Sequence, residues 1–338
     1  MPSNSAAWLL EAKAHPFQVQ EAPTWKPETD EILVKNHAVA INPVDGSIQE
    51  KAWWPLDYPT ILGQDIAGEV IEVGSNITRF KPGDRVLGHA VGLTSKRNQE
   101  SAFQAYTILQ TNMASHIPDD IPYESAAVLP LGLSTAACGL FQQEFLNLQH
   151  PTEPRAQPTG KTLLVWGGAS SVGSNAIQLA VAAGYEVYTT ASPKNFTYVK
   201  TLGASQVFDY NSATITDELV AALKGKQLAG ALDCIGFSAT PLTADVILRS
   251  EGAKLISTVK PGFQAPEGLT AKFIFGTSLK DNEVGKAIYE DFLPGALEAK
   301  TFVPAPEALV AGSGLESIQG AVDIQANGVS ARKVVVLL

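Results

Sequence analysis

The segment Val165-Trp166-Gly167-Gly168-Ala169-Ser170-Ser171-Val172-Gly173 constrains this chain more than any other. It follows an apolar run, Thr162-Leu163-Leu164-Val165, and leads into a helical pattern, Asn175-Ala176-Ile177-Gln178-Leu179-Ala180-Val181-Ala182. A strand, a glycine turn and a helix in that order place a pyrophosphate on the positive end of the helix. Gly167 and Gly168 predict a tight turn with no Cβ near the ligand, and Gly173 predicts close packing of helix on strand. Gly167, Gly168, Ala169, Ser170, Ser171 and Val172 are therefore candidate cofactor contacts. The spacing departs from G-x-G-x-x-G, so an ordinary strand–helix turn is the competing reading.

The next apolar run, Tyr185-Glu186-Val187-Tyr188-Thr189-Thr190-Ala191, reads as a second buried strand. A site for NAD places an Asp or Glu at the end of this strand, on the ribose hydroxyls. Here the strand runs out in Thr190-Ala191-Ser192-Pro193-Lys194-Asn195, without an acid. Losing the carboxylate removes repulsion toward a 2′-phosphate, and Ser192 and Lys194 supply a hydroxyl and a cation for it. The expected cofactor is NADP(H), with Ser192, Lys194 and Asn195 as contacts. A solvated turn lysine is the plain alternative for Lys194.

At 338 residues the chain suits two domains. A hydrophobic fraction of 45% against 17% charged supplies buried strands and argues against disorder. The formal charge of −10 without a basic run argues against nucleic acid or an anionic membrane as partner. Pro, Gly or charged residues interrupt every apolar run before it reaches a membrane span. The N-terminus lacks the basic flank and apolar block of a secretory signal. Two cysteines, Cys138 and Cys234, give no disulfide framework, so a reducing cytoplasmic location is expected.

From about residue 6 to 115 short strands alternate with turns such as Lys81-Pro82-Gly83-Asp84, the pattern of a β-rich, barrel-like domain. Helical patterns follow at Tyr123–Val128 and Leu133–Phe145, then a loop at Gln149–Pro158. Five strand–helix alternations succeed them, with strands near Thr162, Glu186, Gln206, Gly230 and Lys254. A sixth strand is expected at Lys272-Phe273-Ile274-Phe275-Gly276. The helix at Val284–Ala299 is long enough to cross between domains, so the terminal strand Lys333-Val334-Val335-Val336-Leu337 is expected to return to the first domain.

Along its whole length the chain resembles the medium-chain dehydrogenase/reductase superfamily. Four landmarks match in order: Asn42-Pro43-Val44-Asp45, Leu62-Gly63-Gln64-Asp65-Ile66-Ala67-Gly68, Phe80-Lys81-Pro82-Gly83-Asp84-Arg85-Val86, and the glycine turn. The resemblance implies an α/β chain with a GroES-like β-rich catalytic domain, residues 1–125 and 279–338, and a Rossmann domain with a doubly wound parallel sheet, residues 126–278. It also implies an active site in the cleft between them. The zinc-free quinone oxidoreductases are more similar than the zinc enzymes. So are fungal stand-alone enoyl reductases serving polyketide synthases, whose pattern resembles Asp281-Asn282-Glu283-Val284-Gly285-Lys286 and Ala331-Arg332-Lys333-Val334-Val335. Where zinc-dependent members carry Cys, Gly-His-Glu and Cys, this chain has Asn42, Gly63-Gln64-Asp65 and Leu131. Asn, Gln and Leu cannot assemble the three donors of a catalytic zinc, and no metal is expected.

Without a Lewis acid, hydride transfer to a conjugated enone, thioester or quinone is easier than reduction of a simple ketone. An NADPH-dependent enoyl or quinone reductase is the expected activity. Zinc-free carbonyl or alcohol chemistry is the alternative, and a cofactor-binding protein with little catalysis a third reading. By resemblance, Asn42 faces the nicotinamide; a turn Asn before Pro43 is the competing reading. Thr135 would contact the nicotinamide-side phosphate or ribose, Cys234 and Ile235 would line the cofactor path, and Tyr210 would lie near the 2′-phosphate. Phe275 and Gly276 would approach the cofactor across the cleft. The tyrosine proton donor of mitochondrial-type enoyl reductases aligns with Ala52 or Trp53. Tyr58 is the nearest candidate, with water as the alternative donor. Trp53 and Trp54 could wall a flat substrate, and His89 reads as a loop residue.

Two partner expectations complete the reading. The strand at 272–277 is the last of its sheet, hence an edge, and a homodimer through it is expected, with a monomer whose edge is shielded by Gly262–Leu269 as the alternative. A polyketide synthase is the second partner expected.

Overall fold

The computed structural model describes residues 3–338, and the chain divides into two compact units, 1–131 with 303–338 and 132–302. The first unit is β-rich. Strands β1 (Asn4–Leu9), β2 (Gln18–Ala22) and β4 (Thr60–Ile61) form a three-stranded antiparallel sheet in the order β2-β1-β4. The larger sheet runs β15-β16-β3-β5-β6-β8, with β7 pairing the first half of β3. Its members are β3 (Glu31–Ala40), β5 (Asp65–Val73), β6 (Arg85–His89), β7 (Tyr106–Gln110), β8 (Ala114–His116), β15 (Glu307–Ser313) and β16 (Arg332–Leu337). Strand β16 lies antiparallel to β3 with Val336 opposite Val39, so the end of the chain closes a sheet that its beginning opened. The core between the sheets is aliphatic: Ile32, Val34, Val39, Ile66, Val70, Val86 and Val336 are buried in one cluster.

The second unit is one six-stranded sheet of β9 (Lys161–Trp166), β10 (Glu186–Ala191), β11 (Gln206–Asp209), β12 (Gln227–Asp233), β13 (Leu255–Thr258) and β14 (Thr270–Phe273). All pairs are parallel, in the order β11-β10-β9-β12-β13-β14. That is the doubly wound order, whose direction of winding reverses between β9 and β12, the place where such sheets bind ligands. The central strands β9 and β12 read as near-continuous apolar runs because a parallel sheet is covered on both faces, whereas the edge strands β11 and β14 are partly exposed.

Three expectations are corrected here. The last strand of the second sheet stops at Phe273, and Gly276–Asp281 is a short 3₁₀ helix. A Cβ on Gly276 would lie 2.8 Å from Thr135 Oγ1 and 3.1 Å from Thr135 N, so the chain is drawn inward where the apolar pattern predicted more strand. The helical stretch expected to cross between domains belongs to the second unit. It runs as Glu283–Lys286, a π-helical turn at Ala287–Phe292, and Leu293–Glu298, and the boundary falls after Phe302. Buried Ile288, Tyr289 and Phe292 hold it, with Tyr289 Oη 2.7 Å from Ser134 Oγ. Finally, one helical stretch, Tyr123–Phe141, is long and apolar enough to span a membrane, contrary to the reading of interrupted runs. It is 83% buried within the fold, as a core helix would be.

Candidate functional site

In the second unit the glycine turn is held by its neighbouring strand. Gly167 turns with φ +87°, its N–H donating to Thr190 Oγ1 at 2.9 Å, and Gly168 N–H donates to Thr190 O at 2.9 Å. A Cβ on Gly173 would sit 2.2 Å from Gly167 O, so only glycine lets the helix Ser171–Ala182 start this close to β9. Ser170 caps that helix, accepting from Gly173 N at 3.0 Å while donating to Gly167 O at 2.8 Å. Ser171 and Val172, in the first turn, have backbone N–H groups without helical partners, a positive end suited to a phosphate. Ala169, Ser170, Ser171 and Val172 are half-buried around it.

Across the switch point stands the turn after β12. Asp233 is fully buried and accepts from Ile235 N at 3.0 Å, Gly236 N at 2.9 Å, Thr240 Oγ1 at 2.5 Å and Thr258 Oγ1 at 2.9 Å. This carboxylate fixes Cys234-Ile235-Gly236 in place, and Cys234 N–H reaches Trp166 O at 3.0 Å. Ile235 is 44% exposed and faces the glycine turn, since a Cβ on Gly167 would lie 2.4 Å from its Cγ1. Burial pushes the Cys234 thiol well above its usual range, and it raises that of Cys138 to about 11. Neither thiol is poised as a nucleophile.

At the end of β10, Lys194 is exposed and Ser192 Oγ accepts from Asn195 Nδ2 at 3.2 Å. Tyr210 is 46% exposed at the end of the neighbouring β11. Its predecessor Asp209 pairs with Ala191 on the adjacent strand. One of its oxygens, Oδ1, is taken by Asn211 N and Nδ2, both at 2.9 Å. Tyr198, which the sequence reading did not single out, ties this region to the glycine turn. Its Oη lies 2.8 Å from Ser174 Oγ, which donates to Gly168 O at 3.2 Å. Thr135 and Phe275-Gly276 meet as described above, Thr135 being buried and Phe275 37% exposed.

In the first unit the landmarks converge on a buried polar cluster. Asn42 caps the helix Pro43–Lys51, its backbone N–H donating to Asp45 Oδ2 at 2.8 Å. Its side-chain Nδ2 donates to Asp65 Oδ2 at 2.9 Å, and its Oδ1 accepts from Lys333 Nζ. Lys333 Nζ also lies 2.8 Å from Asp65 Oδ2, while Asp65 Oδ1 accepts from Leu131 N at 2.6 Å. Asn42 and Lys333 are each 4% exposed and Asp65 is fully buried. His89 is fully buried at the end of β6, not in a loop as its sequence suggested, with Nε2 3.5 Å from Gln64 Oε1. Tyr58 has no hydrogen bond to this cluster; its half-buried ring packs against the hydrophobic core beside Trp54 and Leu56. Trp53 is 52% exposed and meets Trp54 edge to face.

The roles of Asp65 and Lys333 were missed. The available signal was a lysine at the head of an otherwise apolar terminal strand, and an acid inside the strongest landmark. Among the described residues no group of three His, Cys, Asp or Glu side chains is placed to hold a metal ion.

A doubly wound sheet with a glycine turn at its switch point, joined in one chain to a β-rich unit, is the fold of dehydrogenases that bind a nicotinamide cofactor. Two family models match: an alcohol dehydrogenase GroES-like domain at residues 28–119 and a zinc-binding dehydrogenase domain at 171–275. The chain belongs to the medium-chain dehydrogenase/reductase superfamily. It is 68% identical to the zinc-binding alcohol dehydrogenase domain-containing protein cipB of Emericella nidulans, over 99% of this chain and 98% of that one. It is 39% identical to the trans-enoyl reductase himH of Aspergillus japonicus, over 98% and 97% respectively. The fold matches that of Escherichia coli quinone oxidoreductase complexed with NADPH, with a TM-score of 0.73, 20% identity and full coverage of both chains. The chain is thus an oxidoreductase of the medium-chain dehydrogenase/reductase superfamily. The matched zinc-binding segment itself contains no His and a single Cys, Cys234.

Two buried groups give the first-unit cluster a pH signature. Burial pushes the Asp45 carboxyl up to about 7 from its ordinary 3.8, with Asp65 adding to the rise. Burial pulls the His89 imidazole down to about 4 from 6.5, helped by Lys333. The folded state therefore holds an extra proton at Asp45 between about pH 4 and 7, so stability falls there as pH rises. At His89 the unfolded state holds the extra proton between about pH 4 and 6.5, so stability rises with pH. In the unmodified protein the two slopes oppose each other. Asp45→Asn should expose the rising limb, a gain of roughly 3 kcal/mol from pH 4 to 6.5. His89→Gln should expose the falling one. Urea unfolding at three pH values checks this; parallel profiles for all three proteins would contradict it.

Proposed function

We propose that this chain is a zinc-independent, NADPH-dependent reductase of conjugated C=C bonds or quinones. The observation that carries the reading is Lys333. Where zinc-dependent members place metal ligands, this chain has Asn42, Gln64 and Leu131, and an ammonium group lies 2.8 Å from Asp65 within the same cluster. Asn, Gln and Leu do not fit zinc, and a fixed lysine beside Asn42 raises the cost of a second cation there. A bound dihydronicotinamide supplies the hydride. The chain's own task is then to hold the charge that collects on an enolate or hydroquinone oxygen, for which a hydrogen-bond donor suffices. Asn42, which the family resemblance sets at the nicotinamide, is that donor. At neutral pH His89 is uncharged and contributes no cation, because burial holds it at about 4.

The absence of an acid after β10, the exposed Lys194 and the engagement of Asp209 by Asn211 support NADPH over NADH. Likeness to a trans-enoyl reductase supports an α,β-unsaturated acyl thioester as acceptor, presented by a polyketide synthase. The exposed edge of β14 supports self-pairing about a two-fold axis.

NADPH should bind more tightly than NADH, and Lys194→Ala should weaken NADPH roughly ten- to a hundredfold while leaving NADH nearly unchanged. Fluorescence titration decides this, and equal affinities in the unmodified protein would refute it. In an acceptor panel of quinones, enones, acyl thioesters and ketones, the conjugated acceptors should consume NADPH and a chelator should change nothing. Ketone reduction alone, or loss of activity with the chelator, would move the chain to carbonyl chemistry. Light scattering should return twice the 35.8 kDa chain mass, and a single monomer mass would rule the dimer out.

A further inference from the structure

Asn42 stands between two groups of opposite hydrogen-bonding character. A carboxylate only accepts and an ammonium only donates. Asp65 Oδ2 takes the amide N–H at 2.9 Å and Lys333 donates to the amide oxygen. Rotating the amide by half a turn would set N–H against ammonium and oxygen against carboxylate, two repulsive contacts in a buried place. The partners are themselves held. Asp65 is pinned by Leu131 N at 2.6 Å, Lys333 by Asp65 at 2.8 Å, and the Asn42 main chain by Asp45 at 2.8 Å. An asparagine between two side-chain amides, each able to donate or to accept, would have no such preference.

We propose that Asp65 and Lys333 are positioning residues for Asn42: their paired charges fix which end of its amide is nitrogen, so that the second Nδ2 hydrogen remains a donor for the developing oxyanion. The role rests on the reductase reading given above. It goes beyond that reading in assigning the selectivity of the amide to two residues that need not touch the substrate. It also separates the pair's charge from its packing. Replacing both members with neutral amides keeps the shape at position 65, shortens the side chain at 333 by about one atom and removes the directing field, and removing both charges avoids stranding either one in the interior.

The double variant Asp65→Asn/Lys333→Gln, the single variant Asn42→Ala and the triple variant test this with NADPH and the best acceptor of the panel. The double variant should lose at least about tenfold in kcat, with KM for NADPH within about twofold. The triple variant should be no slower than Asn42→Ala, because residues acting through one another do not add. Lys333→Arg, which keeps a cation, should retain most of the activity. Multiplicative losses, or an unchanged kcat in the double variant, would overturn the proposal. A second measurement needs neither turnover nor a folded variant: hydrogen exchange at Nδ2 of Asn42 in the ¹⁵N-asparagine-labelled unmodified protein. Slow exchange supports the lock, and exchange as fast as that of exposed asparagines overturns it. If the unmodified protein reduces no acceptor in the panel, the reductase reading fails by itself, and the exchange rate still decides whether Asn42 is held.

Discussion

The Asp65 carboxylate is the contact on which the first unit depends. It receives Asn42 Nδ2, Lys333 Nζ and Leu131 N at 2.6–2.9 Å, with no exposure to water. Those donors come from the cap of one helix, the terminal strand and the residue before the second unit begins. A buried carboxylate is costly unless it is paired and hydrogen-bonded, and this one is both. Losing Lys333 alone would strand Asp65, at a cost of roughly 3–5 kcal/mol, a large share of an ordinary domain's stability. The pair is thus weak evidence of net stabilisation and strong evidence that the three segments must meet in one arrangement.

The second unit uses the same device with less charge. Asp233 takes two backbone N–H groups and two threonine hydroxyls, and so sets the turn that faces Gly167. Thr190 performs the matching task from β10, accepting from Gly167 through its side chain and from Gly168 through its carbonyl. The walls of the switch point are therefore set by polar side chains that a ligand need not touch. A site built this way is shaped before anything binds, which limits the ordering cost of binding.

Local pattern made much of this legible. The central strands of the parallel sheet are contiguous apolar runs, the glycine turn sits between a strand and a helix, and the missing acid after β10 needs only one position to be read. What escaped depended on contacts distant in the chain. The run Phe273-Ile274-Phe275 is apolar enough for strand, yet Thr135 presses against Gly276 and ends it early. His89 follows a landmark glycine and reads as a loop, but pairing with Asp65 buries it as a strand end. The helical stretch from Glu283 has the length of a connector, and its burial at Ile288, Tyr289 and Phe292, with Ser134 opposite Tyr289, shows where it belongs. Lys333 lies 291 positions from the amide it contacts, beyond the reach of any periodicity.

That separation bears on how the chain assembles. The second unit is one uninterrupted stretch, residues 132–302, and its sheet contains every strand it requires before β16 is synthesised. The first unit has no such independence: while the ribosome is still translating the region between, β3 is paired with β5 on one side only along Ala38–Ala40 and Asp65 lacks its cation. Contacts of such high sequence separation are slow to form and leave strand edges exposed meanwhile. The half of the molecule that begins first is thus the half that finishes last, and its polar centre is completed only when the terminal strand docks.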